Sequence, residues 1–396
     1  MPDIVIDRVR PWGGAETRLL VRDGRFFEGD AADGAEVIDG AGMLALPGLV
    51  DAHCHIDKTL IGTGWHSHRG GPTVADRIRN EREVLAAMDL SPAVQSARLV
   101  DWMAARGTTH CRTHVDIGPD IGLANFNGVA ETRDRVVDRM DMQIVAFPQT
   151  GVMLQPGTLE LLDQACSEGA EIVGGLDPIG IDRDPVGQLD GLFAIAERRG
   201  VEIDIHLHDP GEVGAITVDM VHERTKALGL KGGVALSHAF CLGSVPEARL
   251  DDLIAKLIDQ DIAIMTHGPS GNTPFPPVRR LHDAGVRLFT GSDGVRDAWG
   301  PMNSGDMLER TFIVAYRNGF RHDADLELCL RMATEMSAAI VGADAYGLQS
   351  GCRADLVLVD CETVAEAVAA HPRRSLVMKA GRVIARDGAL LLPPSG

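Results

Sequence analysis

Short apolar runs recur through the middle of this chain, each followed by a stretch whose polarity has a helical rather than an alternating period. Eight such runs are Met43–Asp51, Thr109–Val115, Met142–Phe147, Glu171–Leu176, Val201–His206, Val234–Ser237, Ile262–Met265 and Val286–Gly291. Apolar runs this short, bounded by turn residues, read as strands buried on both faces. Between them Ala75–Arg106, Ala130–Arg139, Gln188–Arg199, Val213–Leu228, Pro246–Ile258 and Pro276–Ala284 read as amphipathic helices. Eightfold alternation of strand and helix predicts an α/β protein built on a (β/α)8 barrel. A doubly wound open sheet is the alternative, but no G-x-G-x-x-G follows the first strand.

The two ends have another texture. Ile4–Ile6 and Leu19–Phe27 near the start, and Ala354–Val359, Ser375–Ile384 and Gly388–Leu392 near the finish, are β-rich segments punctuated by Gly turns. They predict one small sheet domain assembled from both termini. The expected organisation is therefore residues 1–50 as the first part of that domain, 51–344 as the barrel and 345–396 as the second part.

Composition narrows the functional classes. With 45% hydrophobic and 24% charged residues the chain is an ordinary globular protein. A formal charge of −19 argues against nucleic acid or an anionic membrane as partner. No run of apolar residues is long enough to span a bilayer. The seven cysteines are scattered without a C-x-x-C pair, and Met1–Asp7 carries no basic-then-apolar leader, so a cytoplasmic protein with reduced thiols is expected.

In a barrel of this kind functional groups sit at the carboxyl ends of the strands. The first strand ends at His53 and His55, which alternation places on one face. The later strands end in Arg112–Asp116, Pro148-Gln149, Asp177-Pro178, His206–Asp209, Ser237-His238, Thr266-His267 and Ser292-Asp293. His53, His55, His206 and Asp293 can together hold one divalent ion, Zn²⁺ or Fe²⁺, with a position left for water. Such an ion would lower the pKa of that water toward neutrality. Asp293 could then take the proton while His238 orients the water. A leaving amine needs a proton, for which His208, Asp209 and Lys58 are candidates. Gln149 suits the edge of a cyclic amide or amidine, Trp299 the face of a planar ring, and His114 is expected to border the same substrate. His110 reads as a satisfied core residue, and His66 and His68, in the Gly-rich segment 59–77, as solvent-facing.

With these residues assembled, the chain resembles the amidohydrolase superfamily, and within it the cytosine-deaminase-like branch. The markers are His53–Lys58, Arg112–Asp116, Val145–Gln149, His206–Asp209, Ser237-His238 and Ser292–Trp299, in this order. The resemblance implies a distorted (β/α)8 TIM barrel with a composite β-sandwich, hydrolysis of non-peptide C–N bonds, and metal ligands at His53, His55, His206 and Asp293. Many binuclear relatives carry a carboxylated lysine at the end of strand four. This strand reads Val173-Gly174-Gly175-Leu176-Asp177, so a single ion is expected. Strict cytosine deaminases have Glu where Asp209 stands, Thr in place of Lys58 and a second Asp in place of Gly294. At these points the chain looks closer to branch members that strip an alkylamine from an s-triazine ring. The implied activity is release of ammonia or an alkylamine from an amino-substituted N-heterocycle, a small-molecule partner, in an enzyme expected to be a homo-oligomer. The rival readings are a hydrolase that opens a cyclic amide or ureide, and an inactive metal-binding relative.

Overall fold

The computed structural model describes residues 2–396. Eight parallel strands follow one another around a ring: Leu49–His55, Thr108–Asp116, Asp141–Phe147, Ile172–Leu176, Glu202–His206, Val234–Ser237, Ala263–Met265 and a divided eighth. The eighth is split by Thr290–Ser292. Leu288–Phe289 pairs with strand seven, whereas Asp293–Gly294 pairs with strand one, Asp293 opposite Cys54. One strand thus bonds to both ends of the sheet, and the sheet closes into the barrel that the eightfold alternation predicts. Apolar side chains from these strands and the surrounding helices form the main core, including Ile144, Val173, Ile205, Leu236 and Ile264, all fully buried.

The other sheet is drawn from both ends of the chain. Leu44–Pro47 lies between Ile4–Pro11 and Leu356–Val359, with Arg374–Lys379, Arg382–Arg386 and Ala389–Leu390 continuing on one side. Its central strands Leu44–Pro47 and Leu356–Val359 are buried on both faces, which explains why they read as continuous apolar runs. Leu44, Leu46, Val357, Val359 and Val377 face the barrel core. The intervening Ala45, Leu356, Leu358, Leu376 and Met378 face a second core with Ile4, Ile6, Val9 and Phe26. Strand alternation therefore welds the small domain to the barrel.

Three expectations are corrected in detail. The run Met43–Asp51 is not one strand: Leu44–Pro47 belongs to the terminal sheet and Leu49–His55 to the barrel. They part at Gly48, whose backbone packs so close to Thr109 that a Cβ there would lie 2.3 Å from its hydroxyl oxygen. The long stretch Ala75–Arg106 is two helices, Val74–Met88 and Pro92–Ala104. Asp89 ends the first with a left-handed backbone (φ +48°), and Ser91 caps the second by accepting from the Val94 N–H. The stretch Ala130–Arg139 is helical earlier, over Ala124–Arg135. The seven cysteines are free, and among the described residues no helix is long and apolar enough to cross a membrane.

The closure between strands eight and one leaves no room for a side chain at Gly291. A Cβ there would stand 2.3 Å from the His53 carbonyl oxygen and 2.5 Å from its nitrogen. Because those are backbone atoms, Gly291→Ala is expected to destabilise the fold by at least about 1–3 kcal/mol. Urea unfolding reads this directly, and an unchanged midpoint would mean that the two strands do not meet so closely.

Candidate active site

The carboxyl ends of the strands converge on a group of imidazoles and one carboxylate. Ligand atoms of His53, His206, His238 and Asp293 all lie within 4.8 Å of one another. His55 joins them, its Nε2 standing 3.3 Å from both the His206 Nε2 and the Asp293 Oδ1. The His53 Nε2 is 3.7 Å from the same carboxylate oxygen. Strands one, five, six and eight thus each contribute, and the sequence-derived quartet of His53, His55, His206 and Asp293 is brought together with His238 beside it.

Hydrogen bonds behind the group set its tautomers. The Ser237 hydroxyl donates to Asp204 at 2.7 Å, which leaves its oxygen to accept from the His53 Nδ1–H at 2.9 Å. The His53 Nε2 lone pair then points inward, buried and without a partner, as does the Nε2 of His238. Orphaned nitrogens this deep are costly unless something binds them. Nitrogens and an oxygen spaced at 3.3–3.7 Å are about as far apart as ligands sharing one tetrahedral ion with bonds near 2.1 Å. The residues fit a divalent cation.

Electrostatics agree. Burial, reinforced by the Lys58 charge, lowers His55 to about 4, and burial lowers His267 to about 4. Burial also holds His206 and His238 well below the usual imidazole range. These rings are neutral, the form that binds metal. Burial alone would raise the Asp293 carboxyl, but His238, His53, His55 and His267 around it hold it well below the carboxylate range.

Above this floor lies a small open cavity lined by His55, Lys58, Phe147, Gln149, Leu176, His206, His208, Asp293, Gly294, Asp297 and Trp299. Gln149 and Trp299 stand on its wall as the sequence suggests, and so does His208, whose Nδ1–H donates to Asp177 at 2.8 Å. Burial would lower the His208 pKa, but the Asp177 carboxylate raises it above the ordinary value.

Three expected site residues have other surroundings. Lys58 lines the cavity, but its ammonium is held there by its neighbours. Its ammonium donates to Gln149 Oε1 at 2.6 Å and to Asp116 Oδ1 at 2.9 Å, and lies 3.2 Å from Glu81. Burial opposes its charge, but Asp116, Glu81 and Asp57 overcome that and hold its pKa well above the lysine range. Asp209 does not line the cavity. Neighbouring strand-end residues point apart, and its carboxylate turns to accept the Gly180 N–H at 2.9 Å. Burial pushes that carboxyl up to about 6. His114 is not at the substrate wall either; it lies fully buried beneath the metal-competent group, its ring 4.0 Å from that of His53.

His110 sits at the opposite end of strand two, bonded to Thr109 and Arg353, as a core residue should. His66 is half-buried and His68 exposed, the latter bonding the Asp297 carbonyl. The strand-end pattern already contains Asp116, Asp177 and His267, although it gives them no role. Glu81 and Asp297 carry no such signal. Glu81 falls mid-helix, where a charged residue ordinarily marks a solvated face, yet it is 0% exposed.

The sequence model described as "Amidohydrolase family" matches residues 83–385. The N-isopropylammelide isopropyl amidohydrolase of Pseudomonas sp. (strain ADP) is 31% identical over 358 residues, covering 88% of each chain. The crystal structure of N-isopropylammelide isopropylaminohydrolase from Burkholderia multivorans ATCC 17616 superposes with a TM-score of 0.95 at 44% identity, over 99% of this chain and 100% of that one. The 5-methylcytosine deaminase of Klebsiella pneumoniae, liganded with 5-fluorocytosine, gives a TM-score of 0.86 at 26% identity over the same shares. A match of this length, on a barrel whose open end gathers neutral imidazoles around a carboxylate, makes this chain a member of the amidohydrolase family, whose members are metal-dependent hydrolases.

Proposed function

We propose that the chain is a mononuclear aminohydrolase that releases ammonia or an alkylamine from an amino-substituted N-heterocycle. A triazine bearing an alkylamino group is favoured over an aminopyrimidine, in keeping with the greater similarity to the isopropylammelide enzymes than to the methylcytosine deaminase. The observation that carries the reading is the cavity itself. On one side stands the imidazole–carboxylate group, and facing it is an amide whose oxygen is already engaged by a buried ammonium. Gln149 therefore offers only N–H donors, which suit the ring nitrogen or carbonyl of such a heterocycle.

His53, His55, His206 and Asp293 would hold the ion, and their nitrogen-rich set suits Zn²⁺ or Fe²⁺. When bound there, such an ion polarises a water molecule and brings its pKa toward neutrality. Asp293 accepts the proton that this water gives up as it attacks the ring carbon. His238, its Nδ1 paired with His267 at 3.1 Å, keeps its Nε2 toward the same space and orients the attack. The Gln149 amide donates to the ring edge, and the adjoining Lys58 charge strengthens it. Trp299 holds the ring face. His208, with Nδ1 committed to Asp177, presents its other nitrogen to the cavity and hands a proton to the departing amine. The exocyclic C–N bond breaks, the ring keeps a carbonyl in its place, and the ring stays closed. Strand four ends in Asp177, occupied by His208, and supplies no lysine for a second ion.

Stripping the protein with 1,10-phenanthroline is expected to abolish amine release from a panel of aminotriazines and aminopyrimidines, and one equivalent of Zn²⁺ or Fe²⁺ to restore it. A ring-opened carboxylate as product would assign the cyclic-amide reaction instead. A metal-loaded protein inert toward the whole panel would sink the proposal.

Asp293→Asn is expected to lower kcat by about 10²–10⁴-fold while the folded protein remains. Retention of full turnover would remove Asp293 from the chemistry. Ser237→Ala frees the His53 tautomer and should weaken metal affinity by about 10–100-fold. Competition against a chelating dye measures it, and an unchanged affinity would show that the serine relay has no hold on the site.

A further inference from the structure

The helix Val74–Met88 buries only Ile78 and Glu81. Ile78 packs with Phe147 and Leu176, and Val74 and Trp299 lean on the same apolar patch, so this helix backs the wall of the cavity. Its Glu81 reaches further in. The Oε2 of Glu81 accepts the indole N–H of Trp299 at 2.7 Å and stands 3.2 Å from the Lys58 ammonium. Lys58 in turn fixes the Gln149 amide. One carboxylate thus ties a side chain from the loop after strand eight to one from the end of strand one.

Charge balance does not account for Glu81. Lys58 already has Asp116 as a direct partner, and Asp57 and Asp297 act on it as well. A further buried carboxylate adds a desolvation penalty to a site that already has more acids than bases. Burial pushes its carboxyl up to about 8, and its Oε1 has no hydrogen-bond partner. What Glu81 uniquely provides is the link between indole and ammonium.

We propose that Glu81 is a positioning residue for substrate recognition: through Trp299 it sets the surface that meets the ring face, and through Lys58 it sets the Gln149 donor that meets the ring edge. This role rests on the cavity being the substrate site of the proposed aminohydrolase. It acts on binding before it acts on bond breaking, because neither Trp299 nor Gln149 belongs to the imidazole–carboxylate group. An acceptor is needed at the Glu81 position and a full negative charge is not, so Gln should replace it well.

The metal-loaded enzyme tests this with three substitutions. Glu81→Met keeps the volume and deletes both bonds, Glu81→Gln keeps an acceptor for the indole, and Trp299→Phe deletes the indole N–H. Glu81→Met is expected to raise KM by about tenfold or more, the worth of a buried hydrogen bond involving charged partners, with kcat changed less than KM. Glu81→Gln should return KM to within about threefold of the parent, and Trp299→Phe combined with Glu81→Met should cost little more than Glu81→Met alone, because both cut one link. Dissociation constants for cyanuric acid, an unreactive oxo-triazine, should follow the same order without reliance on turnover. An unchanged KM and dissociation constant in Glu81→Met overturn the proposal. So does a loss of metal content and melting temperature shared by Glu81→Met and Glu81→Gln with no separation in KM, which marks Glu81 as merely structural. If Glu81→Met yields no folded protein, Trp299→Phe decides alone, and an unchanged KM there overturns the link. A parent enzyme that binds and turns over no ring overturns the proposed function, a result distinct from equal behaviour of parent and variants.

Discussion

The site exists because strand eight is held against strand one, by backbone pairing and by one buried carboxylate. Asp51, on strand one and fully buried, accepts both the backbone N–H and the hydroxyl of Ser292. Ser292 immediately precedes Asp293, and Asp51 lies two residues before His53, on the same strand. This contact, together with the pairing of Asp293 against Cys54, therefore sets the distance between the carboxylate and the paired imidazoles. Arg310 fastens the same corner from the helix Met307–Asn318, donating to the carbonyls of Ser292 and His267. Asp293 itself takes a left-handed backbone (φ +63°), as does His238 (φ +71°). For non-glycine residues such conformations persist only where surrounding contacts over-determine them. The closure supplies those contacts on one side of the ring, and the bond from the His238 N–H to the Met265 carbonyl supplies them on the other.

Around this corner the protein separates two kinds of electrostatics that would interfere if mixed. The barrel mouth holds uncharged imidazoles, kept neutral chiefly by burial. One wall away, the Asp57, Asp116, Glu81 and Asp297 carboxyls surround the lone Lys58 ammonium. Lys58 helps to lower His55, while its own charge is secured by the acids behind it. The ammonium thus disfavours protonation of His55 while its own proton is held by the surrounding acids. Gln149 lies between the two regions and converts a fixed charge into a directional donor.

Much of this was legible in the chain because the barrel imposes a period on function. His53 and His55 share a face by strand alternation, and His206, His238 and Asp293 recur at the ends of buried runs, so five of the converging side chains could be read from position alone. The same logic fails one residue further on. His208 and Asp209 are adjacent and equally capable of carrying a proton, and nothing in their order says that one enters the cavity while the other turns back to Gly180. The surroundings of Lys58 escape the pattern for another reason. Its protonation depends on Asp116 and Glu81, which lie 58 and 23 residues away in sequence and meet it only when strands one and two pair and the helix between them folds back.

Glu81 marks the limit of that reading. It belongs to no strand end, its helix is amphipathic in the ordinary sense, and its neighbours Asn80, Arg82 and Glu83 are polar. The helix comes from the long excursion between strands one and two, and the loop after strand eight holds that excursion at two points: Asn80 of the helix donates to the Ala298 carbonyl, and Leu60, ahead of the helix, to that of Arg296. Strands one and eight are neighbours only because the ring is closed. The residues of the metal-competent group are thus set by the strands, whereas the link between Glu81 and Trp299 is set by a contact between two excursions that closure brings together. A barrel of this design can change what it recognises by altering those excursions while leaving the imidazoles where they are.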